Sequence, residues 1–417
     1  MLKKGSKAVI YVLISALILT IAAGLYLYLL RPFIFQELAS SLESLRDPEF
    51  LPVNPEIDTW EEFDAFTEAQ LQQQQVSGAA VAVVAGGKIV WSKGYGFANR
   101  ENQIPATGDT PFMIGSISKA VMGVALMHAV ENGALELDRD INDYLPFQVN
   151  NPRDQENSVL TLRHLATHTS GIRDRERVYA GSYEIGDPAV SLDAFLRDYL
   201  IEDGAYFKAD GNFLPVAPGE TYEYSNIGAG LAGYVLQAAT GTDLDQYAQE
   251  AIFSPLGMDH TGWFLRDFAD QTEIAQPYAF GNRAFPHYGY PTWPDGQLRT
   301  SANDLARLLA MVMNGGELEG VRILDEATVE QMLEKQSFSG LESGHGQGIF
   351  WTYSSQGMAG HNGGDLGVTT VMYFNPATQV GVVVLSNANS ARAVGPVFNI
   401  ARQMLQSEGM VEIAQAE

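Results

Sequence analysis

Two pairs of strand-like runs, one near each end of the chain, constrain the fold more than any other feature. Ala79–Val84 and Lys88–Ser92 flank Gly86-Gly87, a hairpin signal. Val368–Phe374 and Val380–Leu385 flank Asn375-Pro376, and a helical pattern follows from about Val394 to Leu405. Between them, residues 116–280 carry mostly helical patterns broken by loops, with no internal repeat. The layout predicts an α/β (α+β) arrangement in which antiparallel strands from both ends assemble one sheet. Helices flank that sheet, and a mainly helical lobe, roughly residues 130–280, stands beside it. A cleft between two lobes is a common place for a small-molecule site.

The N-terminal segment reads differently. Ala8–Leu30 is an uncharged apolar run of 23 residues, ~35 Å long as a helix and enough for a ~30 Å hydrocarbon core. Lys3, Lys4 and Lys7 precede it, which predicts a short cytoplasmic N-terminus at 1–7 and everything after Arg31 outside the cytoplasm. A cleaved signal peptide is the rival reading. Its apolar region should be shorter, and here the small cluster Ala22-Ala23-Gly24 is followed by more apolar sequence, so the anchor fits better. Residues 31–58 read as a stalk with Pro32, Pro48, Pro52 and Pro55. A helix is expected to start near Asp58-Thr59, with Glu61 and Glu62 favourable in its first turn and the Gln72–Gln75 run at its end. The expected segments are thus 1–7, the anchor 8–30, the stalk 31–58, one domain at 59–405 and a tail at 406–417.

Composition excludes some chemistry. The chain has 25 basic and 50 acidic residues, a formal net charge of −25. Four of the basic residues lie ahead of residue 36, where no acid occurs. A polyanion such as nucleic acid is a poor partner for so acidic a domain. With no cysteine in the chain, disulfides, thiol nucleophiles and Cys-type metal sites are ruled out.

Three short motifs carry candidate chemistry. Ser116-Ile117-Ser118-Lys119 opens a helical pattern, and positions i and i+3 share a face, so Lys119 would lie beside the Ser116 hydroxyl. A serine hydroxyl becomes a good nucleophile only when a neighbouring base takes its proton. The plain alternative is that Ser116 caps its helix. Tyr224-Ser225-Asn226 lies in a turn. Its tyrosine can act as a base only if a cation such as Lys119 stabilises the phenolate, and Asn226 offers a donor and an acceptor to an amide. His361-Asn362-Gly363-Gly364 sits among glycines just before the Val368 strand. His-x-Gly also occurs at His260 and His287, and His361 is preferred for its place and its chain order.

With these motifs the chain resembles the serine β-lactamase-related hydrolases of the class C type, which include penicillin-recognising DD-peptidases and certain esterases. Their ordered signatures are Ser-x-x-Lys, Tyr-x-Asn and Lys/His-x-Gly. Leu160–Gly171, Phe253–Met258 and Leu298–Arg307 also look family-like. The resemblance implies a two-lobed serine β-lactamase-like fold and an acyl-enzyme on Ser116, with Lys119 and Tyr224 sharing the base and acid roles. It implies Asn226, His361 and Gly363 as substrate-binding residues, and main-chain N–H groups of Ser116 and Gly364 as the oxyanion hole. No metal or organic cofactor is implied. The expected partner is a D-amino-acid peptide, a cell-wall-type peptide or a small ester. Histidine where β-lactamases of this type usually carry lysine argues against efficient antibiotic hydrolysis. The alternatives are a penicillin-binding sensor that stays acylated and a catalytically silent scaffold.

Other features weigh less. Arg299 is a conceivable carboxylate-binding charge but reads better as structural. His164 and His168 have metal-ligand spacing but lack the glutamate of His-Glu-x-x-His. Neither a Gly-x-Ser-x-Gly elbow nor a phosphate-binding loop occurs. The aromatic groups Phe350-Trp351-Tyr353 and Tyr288, Tyr290 and Trp293 read as pocket wall or core.

Overall fold

A computed structural model describes residues 57–404, apart from 58, 155, 157 and 280–282. The expected cytoplasmic segment, anchor at 8–30, most of the stalk and the tail at 406–417 lie outside the described residues. Among the described residues, no helix is long and apolar enough to cross a membrane.

The two terminal hairpins meet in one antiparallel sheet. From the first end come β1 (Gly78–Ala85), β2 (Lys88–Asn99) and β3 (Ile104–Pro105). From the other come β4 (Gly346–Gln347), β5 (Thr352–Tyr353), β6 (Ala359–Asp365), β7 (Val368–Asn375) and β8 (Val380–Ser386). The spatial order is β4-β5-β6-β7-β8-β1-β2-β3. The seam joining the chain ends is β1 against β8, in register from Ala79↔Ser386 to Ala85↔Val380. Burial of β1 on both faces explains its unbroken apolar run.

The two faces of the sheet are covered by different helices. On the outer face lie α1 (Trp60–Gln73) and, at the far end of the chain, a C-terminal helix, Ala391–Met404. They pack on Ala79, Val81 and Val83 of β1 and Val380, Val382 and Val384 of β8. Helix α1 starts where expected, with Thr59 and Glu62 forming a reciprocal capping box. On the inner face lie α2 (Ile117–Glu131) and α4 (Ala302–Met313), with α3 (Asn226–Thr240) packed on α2, and the C-terminal helix is α5. The inner cluster takes Ala80, Ala82 and Val84 of β1 with Val383 and Leu385 of β8. Helix α2 is apolar on nearly every side and almost wholly buried, as an all-round hydrophobic helix should be.

The sequence reading missed the short strands β3, β4 and β5 and the longer β6. Residues 359–365 were expected as a glycine-rich approach to the Val368 strand, yet they form β6, paired with β7 from Ala359↔Phe374 to Asp365↔Val368. Glycine weakens a strand intrinsically, but pairing overrides it here and close packing requires it. A Cβ on Gly360 would lie 2.0 Å from the Met372 carbonyl oxygen, and one on Gly363 would lie 2.0 Å from that of Ile114. The second contact presses β6 against the segment that leads into Ser116.

Candidate active site

Ser116 stands at the N-terminal end of α2 but does not cap it. The chain enters the helix through Gly115 at φ +56, where a Cβ would lie 3.0 Å from the Gly364 main-chain nitrogen. Glycine therefore supplies both the left-handed turn and the close approach to β6. Free of a capping role, the Ser116 Oγ accepts from Lys119 Nζ at 3.2 Å and from the Tyr224 hydroxyl at 2.8 Å.

Lys119 lies one helical turn on and is completely buried. Its ammonium also donates to Asn226 Oδ1 and to the Asp295 main-chain carbonyl, both at 2.7 Å. An ammonium has three protons, and these three partners use them all. Burial lowers the Lys119 pKa to about 8, against the opposing pull of Asp295, Asp174 and Asp365. Tyr224 lies under the Lys119 ammonium, which sits 4.9 Å from its ring centre. Burial pushes the Tyr224 hydroxyl well above its ordinary value despite the bond to Ser116. Burial thus favours the neutral phenol, although the cation that a phenolate would need does lie beside the ring.

The Tyr-Ser-Asn turn is held by residues the sequence reading did not single out. Asp174 accepts from the Ser225 hydroxyl at 2.8 Å, from the Asn226 N–H at 2.8 Å and from the Ile227 N–H at 3.0 Å. Ser225 caps α3 by accepting from the Gly228 N–H. A carboxylate at a helix N-terminus is electrostatically favourable, though burial still raises the pKa of Asp174. His168 sits at φ +56 with its ring 4.3 Å from that of Tyr224, and its Nδ1 accepts from the Ser225 N–H. Burial keeps it neutral. Through that bond and the ring contact it supports the Tyr-Ser-Asn turn. Among the described residues there is no group of three potential metal ligands.

His361 faces the site from β6, whereas His260 lies near Asp304 and His287 is buried near Arg299. Its Nδ1 is 2.6 Å from the Asn362 main-chain oxygen. A carbonyl cannot donate, so Nδ1 carries the proton and Nε2 presents a bare lone pair. That Nε2 is buried without a partner. Burial and the Lys119 charge lower the His361 pKa to about 4, so the ring is neutral at pH 7. Gly363 is the packed residue described above, and Gly364 is exposed with open space where a Cβ would be. Opposite them, Ser116 opens α2, where main-chain N–H groups lack intrahelical acceptors.

Arg299 is structural. It is 1% exposed and donates to the main-chain oxygens of Trp263, Gln297 and Tyr288. Phe350 and Trp351 belong to the core. Tyr290 donates to Asp365 at 3.2 Å, in a ring cluster with Tyr179, Tyr183 and Tyr288. Asp365 ends β6, and Asp295 accepts from Tyr179 at 2.8 Å. Nothing in the spacing of the sequence marked these aspartates. Asp365 ends a strand and Asp295 ends a short 3-10 helix, and neither belongs to a motif.

The sequence model of the Beta-lactamase family matches residues 63–401. Protein flp of Staphylococcus aureus (strain NCTC 8325 / PS 47) is 24% identical over 344 residues, 80% of this chain but only 64% of that protein. A putative penicillin-binding protein, PbpX of Bacillus subtilis (strain 168), is 26% identical, covering 81% of this chain and 77% of that one. Among solved structures, the octameric penicillin-binding protein homologue from Pyrococcus abyssi superimposes with a TM-score of 0.66 at 23% identity. It covers 84% of this chain and 78% of its own. The D-alanine carboxypeptidase AmpC from Burkholderia cenocepacia gives 0.64 at 23% identity, covering 82% of this chain and 100% of its own. At these identities the solved structures show a shared fold.

Proposed function

The chain belongs to the Beta-lactamase family, and from that premise we propose that it is a serine hydrolase that cleaves an amide or ester through an acyl-enzyme on Ser116. The observation that carries this reading is the Ser116 Oγ, which leaves its helix uncapped and lies between Lys119 Nζ and the Tyr224 hydroxyl.

Lys119 is the better first base. With its pKa near 8 a useful fraction is neutral at mildly alkaline pH, whereas Tyr224 stays a phenol. Neutral Lys119 takes the Ser116 proton as Oγ bonds to the substrate carbonyl carbon. The carbonyl electron pair moves to oxygen, which the N–H groups of Ser116 and Gly364 stabilise as charge develops. The bond to the leaving group then breaks, and that group takes a proton relayed from Lys119 through the Tyr224 hydroxyl. Water repeats the addition at the ester carbonyl, releasing the acid and returning the proton to Ser116. Asn226 holds the Lys119 ammonium and meets the substrate amide. His361 and Gly363 line the neighbouring strand. The expected substrates are a D-amino-acid peptide, a cell-wall-type peptide or a small ester.

The test is serine-dependent hydrolysis by the purified chain. A short-chain nitrophenyl ester should be turned over, and Ser116→Ala should lower kcat by about three orders of magnitude or more, the scale seen when a nucleophile is removed. Equal rates from a folded Ser116→Ala variant would sink the assignment. A rate that rises with pH through about 8 would match the Lys119 base. We also propose, on sequence grounds alone, that residues 8–30 anchor the chain and leave the domain outside the cytoplasm. Protease digestion of intact cells tests this, and protection of the domain until lysis would overturn it.

A further inference from the structure

Two groups lie against the Tyr224 ring. The Lys119 ammonium is 4.9 Å from its centre, and the ring of His168 is 4.3 Å away at an angle of 33°. His168 also ties down the backbone on either side of Tyr224. Its main-chain oxygen accepts from the Glu223 N–H at 2.8 Å, and its Nδ1 accepts from the Ser225 N–H at 3.2 Å. One residue thus grips the chain before and after the tyrosine while its ring meets the tyrosine ring itself.

Packing alone does not explain that grip. His168 takes φ +56, in the left-handed region that few residues other than glycine occupy. Phe350, whose ring stands at 71° to that of His168 with centres 5.5 Å apart, takes φ +57. Because Nδ1 accepts a hydrogen bond, the proton of the neutral His168 ring is on Nε2. Nε2 is buried with no hydrogen-bond partner among the described residues, and an unmet donor lowers stability. Backbone strain and an unmet polar group, both in contact with a side chain of the site, point to a demand of the chemistry.

Resting on the serine-hydrolase reading, we propose that His168 is the positioning residue of Tyr224, and that through it the site expels leaving groups too basic to depart without a proton. In that reading the Tyr224 hydroxyl, 2.8 Å from Ser116 Oγ, relays the proton from Lys119 to the leaving group as its bond to the carbonyl carbon breaks. An alkoxide or an amide anion needs that proton, whereas p-nitrophenolate leaves without it. A tilt of the phenol therefore harms the first kind of substrate and spares the second. Alkyl esters and amides are the class that depends on His168.

The test measures kcat/KM of the full chain on the acetate esters of p-nitrophenol, phenol and ethanol, each rate corrected by that of Ser116→Ala. With a common acyl group these values report acylation. His168→Asn introduces a residue that tolerates positive φ and can offer Oδ1 to the Ser225 N–H, but it removes the ring. It should lower the ethyl ester value by roughly ten- to a hundredfold and the p-nitrophenyl value by only about two- to threefold, with the phenyl ester between. Tyr224→Phe should show the same pattern, and adding His168→Asn to it should bring no further loss. An equal fall on all three esters, a fall that Tyr224→Phe leaves undiminished, or a wild-type chain that turns over the p-nitrophenyl ester alone would overturn the inference and leave the hydrolase reading standing. Absence of serine-dependent turnover of any ester would remove that reading, and the inference with it. Should His168→Asn fail to fold, His168→Gly, which takes positive φ freely, carries the same comparison. Loss of the fold in both variants would overturn the inference, since it would make His168 a residue of packing alone.

Discussion

The outer and inner faces of the sheet solve opposite problems. On the outer face, α1 and α5 cover alternate residues of β1 and β8 with an apolar layer that includes Phe63, Val397 and Phe398. On the inner face, an apolar core also encloses Lys119, His168, Arg299, Asp295 and His361, all nearly inaccessible to water. Burying apolar area stabilises. Burying charge costs energy unless it is paired and hydrogen-bonded. One face therefore holds the fold together, while the other spends stability on buried polar groups, Lys119 and His361 at the site among them.

The largest expected effect breaks the outer face. Phe398 is fully buried, with its ring 6.2 Å from that of Tyr373. Phe398→Ala should cost about 3–5 kcal/mol of stability while leaving turnover per folded molecule nearly unchanged. Denaturant unfolding and active-site titration together check this. An equal fall in turnover per folded molecule would erase the division between the faces.

A smaller effect comes from the inner face at Asp174. Asp174→Asn keeps the shape but loses the charge and, with the amide oxygen at the Oδ1 position, the acceptor of the Asn226 N–H. Misplacement on the ångström scale costs up to about a hundredfold, and kcat should fall by roughly ten- to a hundredfold. Removing an anion also lowers the proton affinity of Lys119, so the acid limb of the pH profile should move below its wild-type position near 8. A loss of rate without that displacement would mean that Asp174 acts through shape alone.

The smallest effect concerns Asp295, whose carboxyl burial pushes up to about 7, against an ordinary value near 4. Between those values the folded state keeps a proton that the unfolded chain has released, so this group's contribution to stability falls as pH rises across that window. Asp295→Asn should flatten the dependence of Tm on pH between about 4.5 and 7.5 relative to wild type. A parallel pair of curves would show that the buried charge is offset by partners in the fold.

The two faces were also unequally legible in the sequence. The outer face follows from alternation, turn chemistry and a capping box, all of them local signals. The residues that meet at Ser116 were legible because Ser116, Lys119, Tyr224, Asn226 and His361 sit in short motifs with a chemical logic. β6 was hidden because Gly360, Gly363 and Gly364 speak against a strand locally. Only contacts with Met372 and Ile114, remote in sequence or across the sheet, require the first two. Asp174, Asp295 and Asp365 were hidden for a related reason. Their significance lies in which main-chain and hydroxyl groups converge on them, and convergence leaves no periodic trace.

Helices α1 and α5 lie together on the outer face, so the described chain both begins and ends behind the sheet. A label, surface linker or fused partner joined at either end of the domain would therefore leave from the back. The mouth beside Gly364 would stay turned outward, which makes attachment through the ends the natural way to immobilise this domain without blocking access to it.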